Sequence, residues 1–435
     1  MGGTGEIGMN LNLFGHDHQW LMVDCGLTFK APLSETDPTL HDRVCADPQF
    51  IAQQINRLAG IVITHAHEDH LGALPYLWRR FKCPVYTTRF TAEILRRKLA
   101  ETGLAGKVPI IEVNPQTPQQ IGVFSVEWKA ITHSIPEPYG LLIKTQAGRI
   151  FHTADWKIDA QPVTGKAFAP QIFEELGQQD ITAMVCDSTN ALREGHSASE
   201  AECAEGLLKV VEQAKGRVVV GCFSSNIARL ISLARIAQQT GRYMAVLGRS
   251  LQNMVSAAKV TGHWPKDLIL IDSSHLGYLP KEEVLAVATG SQGEPRAILS
   301  RLASGHHPDL LLEPDDTVIF SSIIIPGNEL LIERLVKEFK HRGIKILQAE
   351  SAEYCIHASG HPCQDELKAL YSWVKPKISI PVHGEPEHIK KHAQLAKSYG
   401  VPIQLAGLNG DLYLIAPQPG IRRQVVATGR IALDA

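Results

Sequence analysis

The segment THAHEDH sets His65, His67, Asp69 and His70 at the end of the apolar run GIVIT and ahead of LGALPYLWRRF, which reads as a helix. In an extended chain, residues two apart face the same side, so His65 and His67 project together as the strand runs out. Asp69 and His70 then turn toward a second position in the loop. Imidazole and carboxylate together suit zinc or manganese, whereas calcium takes oxygen ligands alone. A solvated histidine-rich loop accounts for any two of these residues, but poorly for four between a buried strand and a helix. Two cations need more donors than one loop holds. Further candidates stand where apolar strands end: His133 after KAIT, Asp155 after RIFHTA and His383 after KISIPV. Singly, a histidine is more often a satisfied polar group, and an aspartate at a strand end more often caps a turn. Their shared placement favours convergence on one sheet edge, where a bridging carboxylate would hold two cations roughly 3.5–4 Å apart.

The elements that must carry these donors change character along the chain. Gly3, Gly5 and Gly8 of GGTGEIG have the spacing of a dinucleotide-binding loop, but MNLNLF alternates like a strand instead of opening a helix. The segment therefore reads as a glycine turn feeding a hairpin of MNLNLF and WLMVDCG across the polar GHDHQ turn. Strands CPVYTT, VFSVEWKAIT, LLIKTQ, RIFHTAD and AMVCDST follow, with helix FTAEILRRKLA between them, which suggests sheets flanked by helices. Near residue 197 the texture changes. Ser199 and Glu202 have capping-box spacing ahead of helix ECAEGLLKVVEQA, which Gly216 stops. Strand and helix then alternate through RVVVGCF, YMAVLG, VLAVATG and DTVIFSS, the rhythm of a parallel α/β domain. Short strands return with KISIPVHG, helix EHIKKHAQLAKSYG and a small strand pair, PIQLAG with DLYLIA. We expect a first domain in two parts, 1–198 and 351–435, interrupted by an inserted α/β domain over 199–350.

THAHEDH, His133, Asp155 and His383 resemble the signature series of the metallo-β-lactamase superfamily, which implies an αββα sandwich. By that resemblance His65, His67 and His133 hold one zinc ion, Asp69, His70 and His383 hold the other, and Asp155 bridges them; manganese is the alternative metal. Asp24 of LMVDCG matches the family's early structural aspartate, which orients ligands; alone it also reads as a turn residue. CDSTN at Asp187, HASGH at His357 to His361 and PVHGE at His383 resemble the three motifs of the β-CASP nucleases, so the inserted domain is expected to be a β-CASP α/β domain. GGTGEIGMN, HSIPEP, HTADWKID, CFSSN, ATGSQGEP, FSSIIIPGNE and HASGHPCQDEL together resemble bacterial ribonuclease J across nearly the whole chain. The resemblance implies hydrolysis of RNA from 5′ to 3′, favouring 5′-monophosphate ends, with endonuclease activity as well.

The chemistry agrees. Phosphodiester hydrolysis needs a nucleophile at neutral pH, charge stabilisation on the phosphoryl oxygens and a proton for the leaving oxygen. Paired cations supply the first two. A histidine supplies the third, because it titrates near working pH. His361 matches the family histidine credited with that part, with Asp187 as its carboxylate partner, and Asp69 completes the catalytic set at the second ion. Read blandly, HASGH is a glycine turn with a capping histidine. Ser224, Ser225 and Asn226 of CFSSN, with His357 and Ser359, match the family's pocket for the RNA 5′-phosphate; ordinary helix capping explains any one of them equally well. Gly290 to Pro295, GSQGEP, are a weaker phosphate-contact candidate.

Composition decides less. At 435 residues the chain has room for two or three folded units, and no apolar run approaches the length of a membrane span. Eight cysteines without a CxxC pair argue for reduced thiols in a cytoplasmic protein. The net charge of −2 is unlike a dedicated nucleic-acid binder, so RNA contact must come from local clusters such as Arg79, Arg80 and Lys82, or Arg96, Arg97 and Lys98. Solvated helix faces explain such clusters as often. Ribonuclease J usually carries a strand before the glycine turn and a further C-terminal domain. With the chain starting at Met1 and stopping after GRIALDA, we expect a misassigned start or a missing edge strand, and a homodimer weaker than the family's. Two rivals stand beside the nuclease. A thioester or lactone hydrolase needs no inserted domain, and a non-catalytic RNA-binding partner would typically lack some of the seven ligands.

Overall fold

The computed structural model describes residues 1–29, 43–325 and 327–433. Pro326 of FSSIIIPGNE and the last two residues of GRIALDA lie outside them. Two large sheets stack at the centre of the first domain. One runs in the spatial order Asn12–His16, Gln19–Val23, Leu58–Val62, Val85–Thr87, Ile110–Glu112. The other runs Ile403–Gln404, Ile378–Val382, Ala183–Asp187, Gly148–His152, Tyr139–Thr145, Phe124–Ala130, Gln119–Ile121.

The alternation of side chains along each strand explains how these sheets stack. Leu21, Val23 and Val62 pack with Leu141, Ile143, Ala183, Val185, Ile378 and Ile380 in one core between the sheets. Met22, Ile61 and Ile63 face the other way, onto Leu74, Leu77 and Phe81 of helix Leu74–Phe81 and Leu95 of helix Arg89–Glu101. Leu142, Phe151, Met184 and Cys186 cover the opposite outer face, beneath helices Pro170–Gly177 and Gln364–Val374. Helix, sheet, sheet, helix is the αββα sandwich expected.

Between Asp187 and Ile378 the chain builds a separate parallel sheet in the order Tyr243–Leu247, Val284–Ala288, Val218–Gly221, Thr317–Phe320, Lys345–Gln348. Val219, Ala286 and Val318 face helices Ile298–Ala303 and Glu329–His341. Val218, Val220, Leu285 and Ile319 face helices Glu200–Gln213, Ile227–Gln239 and Arg249–Thr261. Buried on both sides, the inner strands Val284–Ala288, Val218–Gly221 and Thr317–Phe320 are the near-continuous apolar runs that parallel sheets require. The capping box is present: Glu202 N donates to Ser199 Oγ at 3.0 Å and Ser199 N to Glu202 Oε2 at 2.7 Å.

The opening hairpin pairs Asn12 with Val23 through His16 with Gln19. Its turn is tighter than GHDHQ, only Asp17 and His18, both at positive φ (43° and 60°) as a two-residue hairpin turn demands. Gly3, Gly5 and Gly8 all take positive φ, and the loop they form bridges to Gly384 through Thr4 and Glu6. PIQLAG and DLYLIA do not pair with each other. Ile403–Gln404 extends the seven-stranded sheet beside Ile378–Val382, while Leu412–Leu414 pairs with Gly420–Arg422. Alternating hydrophobicity marks a strand but does not name its partner. The three-stranded sheet of Arg430–Ala432, Arg43–Ala46 and Leu27–Phe29 joins segments nearly 400 residues apart, beyond any local signal. Among the described residues no helix is long and apolar enough to cross a membrane.

Candidate active site

The strand Leu58–Val62 leads into a bend at His65 and Ala66 that brings His65 and His67 to one point. His67, at φ −72° and ψ 150°, caps the short helix Glu68–Leu71, and that turn carries Asp69 and His70 to the other side. His65 Nε2 lies 3.0 Å and His133 Nε2 3.1 Å from His67 Nδ1. His133 Nδ1 donates to the Gly360 carbonyl at 2.6 Å, so its Nε2 presents a lone pair when the ring is neutral. Burial first, then the neighbouring histidines, pushes His65 and His133 well below the usual histidine range and brings His67 down to about 4. Three neutral imidazoles aimed at one point form a donor set for a cation. Two groups of donors, each within 4.8 Å of one another, contain all seven expected ligands: His65, His67, His133 and Asp155; and Asp69, His70, Asp155 and His383. Asp155 belongs to both.

In the second group His70 Nε2 lies 3.0 Å from Asp155 Oδ2, and His383 reaches Asp155 Oδ1 at 3.2 Å and Asp69 Oδ2 at 3.1 Å. Burial disfavours the charged imidazole of His70, but Asp155, Asp69 and Asp24 outweigh it and raise it well above the usual range. Asp24 is fully buried. It accepts from Thr64 N at 2.8 Å and lies 2.7 Å from His70 Nδ1, so His70 turns its Nε2 into the site. Asp24, Ala154 and His383 all have positive φ (65°, 51° and 52°). Non-glycine residues held so cost on the order of 1–3 kcal/mol each and persist only where the surroundings enforce them. For His383 that enforcement is visible: its backbone N–H donates to Gly3 O of the glycine loop.

His361 stands beside this cluster. Its Nδ1 lies 2.8 Å from Asp187 Oδ2, and its ring centroid is 5.2 Å from that of His133. Burial works against protonation of His361, but Asp187 prevails and raises it above the usual value. Asp187 Oδ1 accepts from Thr189 N at 2.8 Å and Thr189 Oγ1 at 2.7 Å, which fixes the carboxylate. Asp155, Asp187, His361 and His383 also form a third group with metal-ligand spacing.

Ser224 and Ser225 are half-buried in the loop after Val218–Gly221, and His357 meets the neighbouring loop through Ser321 O at 3.2 Å. Ser359 Oγ accepts from Asn190 Nδ2 at 2.9 Å and from His361 N at 3.2 Å. Asn226 departs from its expected place. Its amide caps helix Ile227–Gln239 by accepting from Arg229 N at 2.9 Å and donates to Glu200 Oε1 at 3.0 Å, so it frames the loop instead of facing a ligand. In GSQGEP, Gln292 is tied to the loop after Thr317–Phe320 through Ile323 O and Ile325 N.

Several positioning residues escaped the sequence reading. Asn10 donates to Asp69 O at 3.1 Å, Asn190 also donates to His361 O at 3.0 Å, and a Cβ at Gly360 would lie 2.6 Å from His133 Cε1. Their only sequence signal is a place inside the motifs GGTGEIGMN, CDSTN and HASGH, which were singled out for other residues.

Residues 19–221 match the beta-lactamase superfamily domain, residues 215–339 the family described as Ribonuclease J, beta-CASP domain, and residues 347–406 the Zn-dependent metallo-hydrolase RNA specificity domain. The chain is 41% identical to ribonuclease J of Sinorhizobium meliloti, an alignment covering 100% of this chain and 77% of that protein. It is 38% identical to ribonuclease J 1 of Streptococcus pyogenes over 95% of this chain and 73% of the relative. Ribonuclease J of Mycolicibacterium smegmatis is 35% identical over 100% and 77%. Among solved structures, a protein of unknown function from Enterococcus faecalis matches with a TM-score of 0.61 at 15% identity, covering 99% of this chain and 98% of that one, a likeness of fold alone.

Proposed function

The chain belongs to the ribonuclease J family of metal-dependent ribonucleases, and from that premise we propose that it removes nucleotides from RNA 5′ ends, favouring a 5′-monophosphate, and also cuts internally. The observation that carries this reading is the His361–Asp187 pair, 2.8 Å apart, set against the donor cluster. A thioester or lactone hydrolase has no use for an acid held in this way by the segments flanking an inserted domain. We place the joints of that domain at 198/199 and 350/351, supported by the chain's departure from the seven-stranded sheet after Asp187 and its return at Ile378.

His65, His67 and His133 would hold one zinc ion, Asp69, His70 and His383 the second, and Asp155 both; manganese suits the same donors. When bound, the pair makes water nucleophilic near neutral pH and neutralises charge on the phosphoryl oxygens. His361, held protonated by Asp187, gives its proton to the leaving oxygen as the P–O bond breaks. Asp24 keeps His70 aimed inward throughout. Ser224, Ser225, His357 and Ser359, framed by Asn226, receive the 5′-phosphate. A closed polar pocket accepts a monophosphate and excludes the bulk and charge of a triphosphate. Digestion of one labelled RNA bearing a monophosphate, triphosphate or hydroxyl at its 5′ end tests this. The monophosphate should be digested fastest from that end, and Ser359→Ala should lose most of the advantage. Equal rates on all three would leave an end-blind nuclease.

A reducing cytoplasm suits the eight unpaired cysteines. The same reading includes a homodimer formed through the inserted domain, supported by exposed Tyr243, Ile269 and Tyr278 near the edge strand Tyr243–Leu247. Sedimentation over a concentration series should show reversible dimers, and a monomer at every concentration would contradict them.

A further inference from the structure

One serine joins the inserted sheet to the HASGH segment. The Ser321 carbonyl accepts from Arg229 Nη1 and from His357 Nδ1, each at 3.2 Å, and the Ser321 hydroxyl donates to Ile356 O at 2.6 Å. Arg229 also touches that hydroxyl. It is 1% exposed, and its remaining nitrogens grip Glu200, Nε to Oε2 at 3.1 Å and Nη2 to Oε1 at 3.0 Å. Glu200 N in turn donates to Asp159 Oδ2 at 3.0 Å. This buried ion pair ties the first domain to the inserted one and ends on His357.

A carbonyl oxygen has no proton to give, so a neutral His357 must carry its proton on Nδ1. Its Nε2 then offers a bare lone pair. That nitrogen has no hydrogen-bond partner among the described residues and is not among the sealed, unpartnered atoms, so it opens to the surroundings. The groups charged around the ring are Arg229 from helix Ile227–Gln239, Glu200 from helix Glu200–Gln213 and Lys157 from the segment after Gly148–His152. Burial and then Arg229 bring His357 down to about 3, so the ring is neutral at working pH. A lone pair facing a phosphate dianion repels it unless a proton lies between them.

We propose that the 5′-phosphate enters this pocket together with one proton, shared between His357 Nε2 and a phosphate oxygen, and that Arg229 is the positioning residue that sets the His357 tautomer through Ser321. The inference rests on the phosphate-pocket reading above. Below a second ionisation near pH 6 the phosphate brings that proton itself, and above it the proton comes from water. The complex thus holds one proton more than its separated dianion and neutral ring, so rising pH opposes it.

The test uses the intact, metal-loaded protein and one RNA with either a 5′-monophosphate or a 5′-hydroxyl, from about pH 6 to about pH 8. The ratio of their kcat/KM values cancels the pH dependence of the metal centre and of His361, which serve both substrates. We expect the monophosphate advantage to fall toward about tenfold per pH unit above the phosphate ionisation, the slope of one linked proton. His357→Asn should flatten that ratio against pH. Arg229→Lys should cut the advantage by about tenfold while leaving the 5′-hydroxyl rate near wild type, the scale of a weakened contact to a charged group. If that variant fails to fold, Ser321→Ala, which removes the hydroxyl held between Arg229 and Ile356 O and so loosens the carbonyl that faces His357, carries the same comparison. A wild-type preference that does not change with pH overturns the proton linkage and leaves the pocket standing. No preference at any pH overturns the pocket itself. Equal losses on both RNAs in Arg229→Lys, or in Ser321→Ala where it stands in, overturn the positioning role.

Discussion

Asp155→Ala is expected to yield a folded protein that has lost bound metal and all measurable turnover. Asp155 is the one residue common to all three donor groups. Its Oδ2 lies 3.0 Å from His70 Nε2 and 3.9 Å from both His65 Nε2 and His133 Nε2, while Oδ1 lies 3.2 Å from His383 Nδ1. Burial opposes its ionised form, but His383 and His70 hold it well below the usual carboxylate range. Alanine removes the anion that two cations would share. The loss should exceed the roughly 10²–10⁴-fold worth of a general acid. Elemental analysis of the purified variant beside a turnover assay decides the matter. Two tightly held ions with normal turnover would overturn the bridging assignment.

His361→Ala should behave differently: metal content unchanged, and a rate down by roughly 10²–10⁴-fold. The distinction matters because His361 has two geometrically allowed roles. It can donate a proton, supported by Asp187, or act as a ligand in the group with Asp155, Asp187 and His383. Metal lost in parallel with activity would identify the ligand. As an acid, His361 must hold its proton, so wild-type activity should fall as pH rises through its elevated pKa, and the variant should lack that limb. Asp187→Asn removes the charge that raises His361. It should move the alkaline limb to lower pH without abolishing it. A limb that stays in place would assign the proton to another group.

How much of this was legible beforehand depends on the distance over which each feature is determined. The strand-end donors could be read because a strand and the turn after it are local. GIVIT specifies an extended run, and two-residue spacing then puts His65 and His67 on one side. The capping box at Ser199 and Glu202 spans three residues and formed as expected. The αββα order was expected from the family resemblance, and AMVCD, buried at every position, is the continuous run of a strand covered on both faces.

Pairing was not legible, because a hydrogen-bonding edge accepts any extended partner. PIQLAG and DLYLIA were joined by proximity, yet each found a different neighbour. The same limit governs the site's supports. Gly360 O lies 227 residues from His133 in sequence, and Ser321 lies 92 from Arg229. Asn226 reads equally well as a ligand contact or a helix cap, and only its 3.0 Å bond to Glu200 decides for the frame.

The sequence by itself determined which residues can ligate metal and carry a proton, and roughly where strands would present them, because residue chemistry and local backbone preference travel with the chain. The packing of the folded chain decided which of those donors gather in one group, that Asp155 stands common to every group, and which way His357 and His361 turn their free nitrogens. Those outcomes depend on close packing of segments hundreds of residues apart, where a carbonyl or carboxylate from one strand end fixes the imidazole of another.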